Sequence, residues 1–227
     1  MNYFQIDMHK NFTGIIEENF LSLKETEDIK NKVLNHSKFW TNFYHTKIFP
    51  PGIAYRKDRK DIYKTEVENF QSILENNFSN VYEKISEKVS NIFNCRCNFV
   101  LDKHKPGFHI WGPGPYTHSH IHYHVDQFTG IRDKIYSFTI PISLPTEPTG
   151  LNYVDPLQTY PKYTTKEMFH KQYAKTIFYK IGCLVMTDGL VMHSIKPFIL
   201  NENEYRITIQ FHVGLKKDNP DESFIFW

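Results

Sequence analysis

The sequence predicts an α+β protein, mainly β, in which a helical N-terminal part supports a sandwich or barrel of short strands. Three observations carry this expectation. Apolar residues recur at helical spacing through much of the first hundred positions, and after Asn94 they fall into short or alternating runs separated by Gly, Pro and Asp. The aromatic content is 16%, with 19 Phe and 14 Tyr, which favours a strand-rich interior and ring-lined pockets. Little helical pattern separates the later runs, which argues against a parallel α/β sheet. At 227 residues and 40% hydrophobic content, the chain is sized for a single domain over 1–227. Residues 1–95 are its mainly helical support region, 96–214 its β core and 215–227 a C-terminal tail.

Each element has its own signal. Ser22-Leu23-Lys24-Glu25 has the form of a capping box, after which Ile29, Val33 and Leu34 share a helical face. From Thr65 to Phe93 the residues Val67, Phe70, Ile73, Leu74, Phe78, Val81, Ile85, Val89 and Ile92 recur three or four apart. They predict one long helix, or two shorter ones broken near Asn76-Asn77. Between the helical stretches, Phe49-Pro50-Pro51-Gly52-Ile53-Ala54-Tyr55 forbids a continuing helix and admits a short strand. Strands are expected at Asn98–Leu101, Phe108–Trp111, His118–Val125, Ile135–Ser143, Leu151–Val154, Ala174–Tyr179, Cys183–Met186, Val191–Lys196 and Arg206–Val213. A Tyr- and Lys-rich insertion over 155–172 is either a substrate loop or lid, or a surface excursion.

Charge and cysteine usage exclude several functions. The formal net charge is only +2 and no Lys/Arg run is long, so nucleic acid is not an expected partner. The start lacks a basic region followed by an apolar run, and no segment is apolar enough to cross a bilayer; a soluble, cytoplasmic protein without a membrane partner is expected. Three cysteines, two of them in Cys95-Arg96-Cys97, fit a reducing compartment and supply neither an ordinary disulfide nor a structural zinc site.

The densest chemistry lies in His118-Ser119-His120-Ile121-His122-Tyr123-His124-Val125-Asp126. On a strand these four histidines and the aspartate project to one face. Neighbours on that face stand about 6.6 Å apart, so two of them converge on one ion only where the strand curls or ends. Asp126, near the Gly130 turn, marks that end, which makes His124 and Asp126 the best ligand pair. A third ligand is offered downstream, where a strand runs into Asp188-Gly189 and a short second strand presents His193 before Pro197. Arg206-Ile207-Thr208-Ile209-Gln210-Phe211-His212-Val213 then alternates cleanly between polar and apolar residues. An arginine on the inner face of a barrel requires an anionic partner there, because an unpaired buried guanidinium is costly.

This ordered set resembles the Fe(II)- and 2-oxoglutarate-dependent oxygenases, over roughly Phe108 to Val213. The resemblance implies a double-stranded β-helix of the jelly-roll or cupin-like kind as catalytic core, flanked by helices. It implies His124, Asp126 and His193 as catalytic iron ligands, with Arg206 and Thr208 binding the distal carboxylate of 2-oxoglutarate. Fe(II), 2-oxoglutarate and O2 are then the cofactor and co-substrates, and the activity is oxidative decarboxylation to succinate coupled to hydroxylation of a small-molecule or amino-acid-like substrate. Independently, two imidazoles and one carboxylate form the facial triad suited to oxygen chemistry at Fe(II). A retained Asp126 speaks against a halogenase, while desaturation and ring formation stay open. His122 and Trp111 are candidate substrate contacts; His118 and His120 lie upstream on the same face, with contact to substrate and a solvated barrel mouth both open. The competing reading is a cupin-like metalloprotein, for which the spacing of His122, His124 and His193 also serves but which has no use for an inward arginine at position 206.

Overall fold

A computed structural model of the chain describes residues 13–43, 45–50, 60–99, 105–116, 134–154, 174–189, 191–215 and 222–227. Ser22 starts α1 (Leu23–Asn35) as the capping box predicts: the Glu25 backbone N–H donates to the Ser22 hydroxyl at 3.3 Å, and the Ser22 N–H donates to the Glu25 carboxylate at 2.8 Å. Thr26, Ile29 and Val33 turn inward. The second helical stretch is one uninterrupted helix, α2 (Lys60–Phe93). Of the two readings the single long helix is the one that forms, without the alternative break near Asn76-Asn77. The Asn77 amide donates to the Ile73 carbonyl one turn back at 2.8 Å, and Lys32 of α1 donates to the Asn77 carbonyl at 2.9 Å. The buried residues Leu74, Phe78, Val81, Ile85, Val89 and Ile92 keep one continuous apolar face across that point.

The strands are β1 (Thr13–Glu17), β2 (Thr41–Phe43), β3 (Thr46–Phe49), β4 (Arg96–Phe99), β5 (Gly107–Trp111), β6 (Gly114–Tyr116), β7 (Lys134–Ser143), β8 (Gly150–Val154), β9 (Ala174–Phe178), β10 (Leu184–Asp188), β11 (His193–Ile195), β12 (Phe198–Leu200), β13 (Arg206–Leu215) and β14 (Glu222–Phe226). A nine-stranded sheet runs β1-β10-β7-β13-β5-β3-β2, with β14 pairing both β13 and β4. Two smaller sheets, β11-β8-β9 and β12-β6, form a second layer. The expected α+β class with a β-sandwich core is what forms.

Alternation along β13 and β7 decides which layer each residue serves. Ile207, Ile209, Phe211 and Val213, with Phe138 and Ile140, join Leu74, Phe78 and Phe93 in the main core between the large sheet and the helices. Tyr136 belongs to that core as well, its ring centroid 5.1 Å from that of Phe93. The opposite face meets the small sheets: Leu151 of β8 packs with Tyr179, Cys183 and Val185, and Ile195 of β11 packs on Trp111, Phe198 and Leu200.

Six strands carry no clear mark in the sequence. β1, with only two large apolar residues, adds to the edge of the large sheet beside β10; β2 and β3, within the region read as mainly helical, pair with each other and extend the sheet beyond β5; β6 and β12 pair with each other; and β14 lies within residues read as a tail. The predicted strand His118–Val125, the insertion 155–172 and most of the Pro-Gly stretch after Pro50 lie outside the described residues. No helix among the described residues is long and apolar enough to cross a membrane.

Candidate active site

Arg206 opens β13 on the face turned away from the helices, and its side chain is wholly buried. Among the described residues none of its three nitrogens has a hydrogen-bond partner. Two residues on, Thr208 is equally buried and its hydroxyl is also without a partner among the described residues. Aromatic rings wall the guanidinium: its carbon lies 5.5 Å from the Phe198 centroid and 5.6 Å from that of Tyr179. Burial pulls the Arg206 side chain down to about 10, which still leaves it charged at neutral pH, and burial pushes the Tyr179 phenol up despite the opposing pull of the Arg206 charge. A buried cation with its donors unmet is costly. Its planar fork is matched by a carboxylate, which accepts two parallel N–H bonds and returns the charge balance.

His193 begins β11 in the facing small sheet and is buried, 7% exposed. Its ring is fixed by a 2.8 Å hydrogen bond between Nδ1 and the Val191 carbonyl. A carbonyl only accepts, so Nδ1 carries the proton and Nε2 is the lone-pair nitrogen of the neutral ring, the form that ligates a metal. The preceding turn is tied to both layers. Gly189 N–H donates to Ile135 O and Val191 N–H to Asp188 O, each at 2.9 Å, while Val154 N–H donates to Met192 O at 3.0 Å. Lys134 adds an ion pair at 3.4 Å to the buried Asp188. Opposite His193 in the register stands Tyr153 of β8.

Of the residues singled out in the sequence, the structure brings Arg206 and Thr208 together and sets His193 in the small-sheet layer. His124, Asp126 and His122 lie outside the described residues, as do His118 and His120. Among the described residues no group of three or more His, Cys, Asp or Glu is placed to hold a metal. Trp111, read as a candidate substrate contact, is 5% exposed, the cross-strand partner of Arg206, and packed edge-on against Tyr116 and Phe198. The aromatic walls Tyr179 and Phe198 were not among the sequence candidates. Each closes or begins an ordinary apolar run, and neither has a partner pattern that marks it in the sequence.

The large sheet with its inner order β10-β7-β13-β5, faced by the antiparallel sheet β11-β8-β9, is a double-stranded β-helix, a fold the chain shares with several solved structures. Among solved structures, HygX from Streptomyces hygroscopicus, solved with nickel and 2-oxoglutarate bound, superposes with a TM-score of 0.53 at 11% identity, over 90% of this chain and 83% of that one. AviO1 from Streptomyces viridochromogenes Tue57 gives 0.50 at 12% identity, over 89% of each chain. The non-heme alpha-ketoglutarate-dependent epimerase SnoN from nogalamycin biosynthesis gives 0.50 at 8% identity, over 87% of this chain and 79% of that one. At these identities the likeness is one of fold. No protein-family model and no curated protein matches the sequence.

Proposed function

We propose that the chain is an Fe(II)- and 2-oxoglutarate-dependent dioxygenase that converts 2-oxoglutarate to succinate and hydroxylates an unactivated C–H bond of a small-molecule or amino-acid-like substrate. The observation that carries this reading is the buried Arg206 guanidinium, which with the Thr208 hydroxyl two residues on has no hydrogen-bond partner among the described residues. A dicarboxylate co-substrate satisfies both groups at once. The Arg206 fork takes one carboxylate in two hydrogen bonds, the Thr208 hydroxyl donates another, and the Phe198 and Tyr179 rings keep water from competing. His193, with its Nδ1 proton held by Val191, offers Nε2 to the metal. His124 and Asp126 complete the two-histidine, one-carboxylate set from the sequence. Fe(II) in such a set supplies oxygen activation, leaving open positions for the keto acid and O2.

A cupin-like metalloprotein shares the barrel and a histidine at this place, but leaves Arg206 and Thr208 buried and without purpose. The net charge of +2 favours a small or amino-acid-like substrate over nucleic acid. HygX, alike in fold, is known with 2-oxoglutarate bound, which lends support to the co-substrate. The test is incubation of purified protein with Fe(II), ascorbate and 2-oxoglutarate, with metal content and thermal shift measured alongside succinate. Succinate is expected from the wild type and not from Asp126→Ala. If neither metal nor 2-oxoglutarate binds, the reading is lost.

A further inference from the structure

Trp111 carries a second anomaly beside Arg206. Its indole Nε1 is buried and has no hydrogen-bond partner among the described residues, although the side chain is only 5% exposed and close-packed. Buried tryptophans ordinarily find an acceptor for this N–H, because leaving it unmet costs free energy comparable to a lost hydrogen bond. Trp111 is the direct cross-strand partner of Arg206, on β5 against β13, so the two side chains stand on one face of the sheet. Both flank the same ring: the Trp111 and Phe198 centroids are 5.7 Å apart, and the Arg206 guanidinium carbon is 5.5 Å from the Phe198 centroid. Three buried donor groups without partners, on Trp111, Arg206 and Thr208, thus occur on adjacent strands within one layer.

We propose that the Trp111 indole N–H is a third donor to the distal carboxylate of the keto acid, acting with Arg206 and Thr208 to select a dicarboxylate. The inference rests on the co-substrate reading above. A carboxylate offers about four lone-pair directions, so the Arg206 fork and Thr208 leave room for one more donor. An indole N–H supplies it without a second buried positive charge. The rigid ring, held edge-on by Tyr116 and Phe198, makes Trp111 a positioning residue whose donor is set before the ligand arrives.

The chain has three tryptophans, Trp40, Trp111 and Trp227, so nitrogen-15 labelling gives three indole N–H resonances. With Zn(II) as a diamagnetic substitute metal, saturating 2-oxoglutarate is expected to move the Trp111 indole signal, identified by its loss in Trp111→Phe, downfield and to slow its exchange with solvent. Calorimetry is expected to show Trp111→Phe binding 2-oxoglutarate about tenfold more weakly, with pyruvate, which lacks the distal carboxylate, unaffected. An unmoved Trp111 signal while calorimetry shows 2-oxoglutarate bound overturns the role of Trp111 and leaves the co-substrate reading standing. Absence of 2-oxoglutarate binding to the wild type overturns both. Should Trp111→Phe fold poorly, the Trp111 signal is identified instead as the one that persists in both Trp40→Phe and Trp227→Phe, and its response in the wild-type protein still decides.

Discussion

The Arg206 guanidinium and the Thr208 hydroxyl stand two residues apart on one face of β13, both wholly buried and both without a hydrogen-bond partner among the described residues. The other face of the same strand, through Ile207 and Ile209, belongs to the apolar core beneath the helices. One strand therefore serves stability on one side and charge recognition on the other. The unmet polarity is concentrated where a ligand carboxylate would end it.

Such a site trades free-state stability for binding. Replacing Arg206 with Met removes a buried cation that has no counter-ion among the described residues and fills the space with apolar volume, so the ligand-free protein is expected to gain at least about 1 kcal/mol. For a chain of this size that is a rise in Tm of about 2–4 °C. The same variant is expected to lose 2-oxoglutarate binding by a factor of about 100 or more, since a buried bidentate pair is broken. Thermal melts with and without 2-oxoglutarate measure both quantities. A variant less stable than wild type and unchanged in affinity would place Arg206 in an ordinary structural role.

His193 should separate cleanly from Arg206. On the proposed ligand set the ring would act through Nε2 while Nδ1 stays with Val191, so His193→Ala is expected to lower metal affinity by about tenfold to a hundredfold or more. Isothermal titration with Mn(II) reads the loss. The Arg206→Met protein should bind Mn(II) nearly as wild type in the absence of keto acid. Equal metal affinity in His193→Ala and wild type would remove His193 from the ligand set.

What the sequence revealed of this arrangement follows from how local each signal is. The alternation of Arg206, Thr208 and their apolar neighbours is a period-two pattern, and it carried both the strand and its inward face. The capping box at Ser22 is equally local and appears as read. By contrast, the periodicity left open whether α2 runs on through Asn76-Asn77, and the Lys32 contact from α1 to the Asn77 carbonyl is one no periodicity encodes. The rings around Arg206 are of the same kind. Tyr179 follows β9 and Phe198 begins β12, so only the closure of the two layers brings them to one guanidinium. The short strands β6 and β12 likewise have three residues each and no pattern apart from each other.

The Ser22 to Glu25 capping box also predicts a pH response. The Lys84 side chain and the Ser22 backbone and hydroxyl hold the Glu25 carboxyl down at about 2, against an ordinary value of 4.5. Because the folded value is the lower one, this contribution is complete above pH 4.5 and fades as pH falls toward 2. Glu25 and Lys84 are both more than a third exposed, so solvent screening limits the pair to less than about 1 kcal/mol. Urea melts of Glu25→Gln and wild type are expected to differ at pH 6 and to converge near pH 2. Ser22→Ala, which removes the cap itself, should cost about 1 kcal/mol at pH 6. A pH-independent difference between Glu25→Gln and wild type would assign the effect to packing instead of charge.

Gly150 joins the stability of the small sheet to the site. It begins β8, where its position opposite Phe178 leaves no room for a side chain: an added Cβ would overlap the Ile177 carbonyl oxygen on β9. Its own carbonyl accepts from Lys196 N–H at 2.9 Å, just past the end of β11. Gly150→Ala must therefore push β9 away from β8 or shift β8 against β11, whose first residue is His193 opposite Tyr153. A forced backbone displacement of this kind costs about 1–3 kcal/mol, a fall in Tm of roughly 2–12 °C. Gly112→Ala is the matched control, since the nearest atom to its added Cβ, on the Tyr205 ring, is an ordinary 3.8 Å away. It should stay within about 0.5 kcal/mol of wild type. Beyond stability, Gly150→Ala is expected to weaken Mn(II) binding measurably at temperatures where the protein remains folded, because β11 and its histidine move with β8. Lowered stability with unaltered metal affinity would show that the small sheet absorbs the displacement on the β9 side alone.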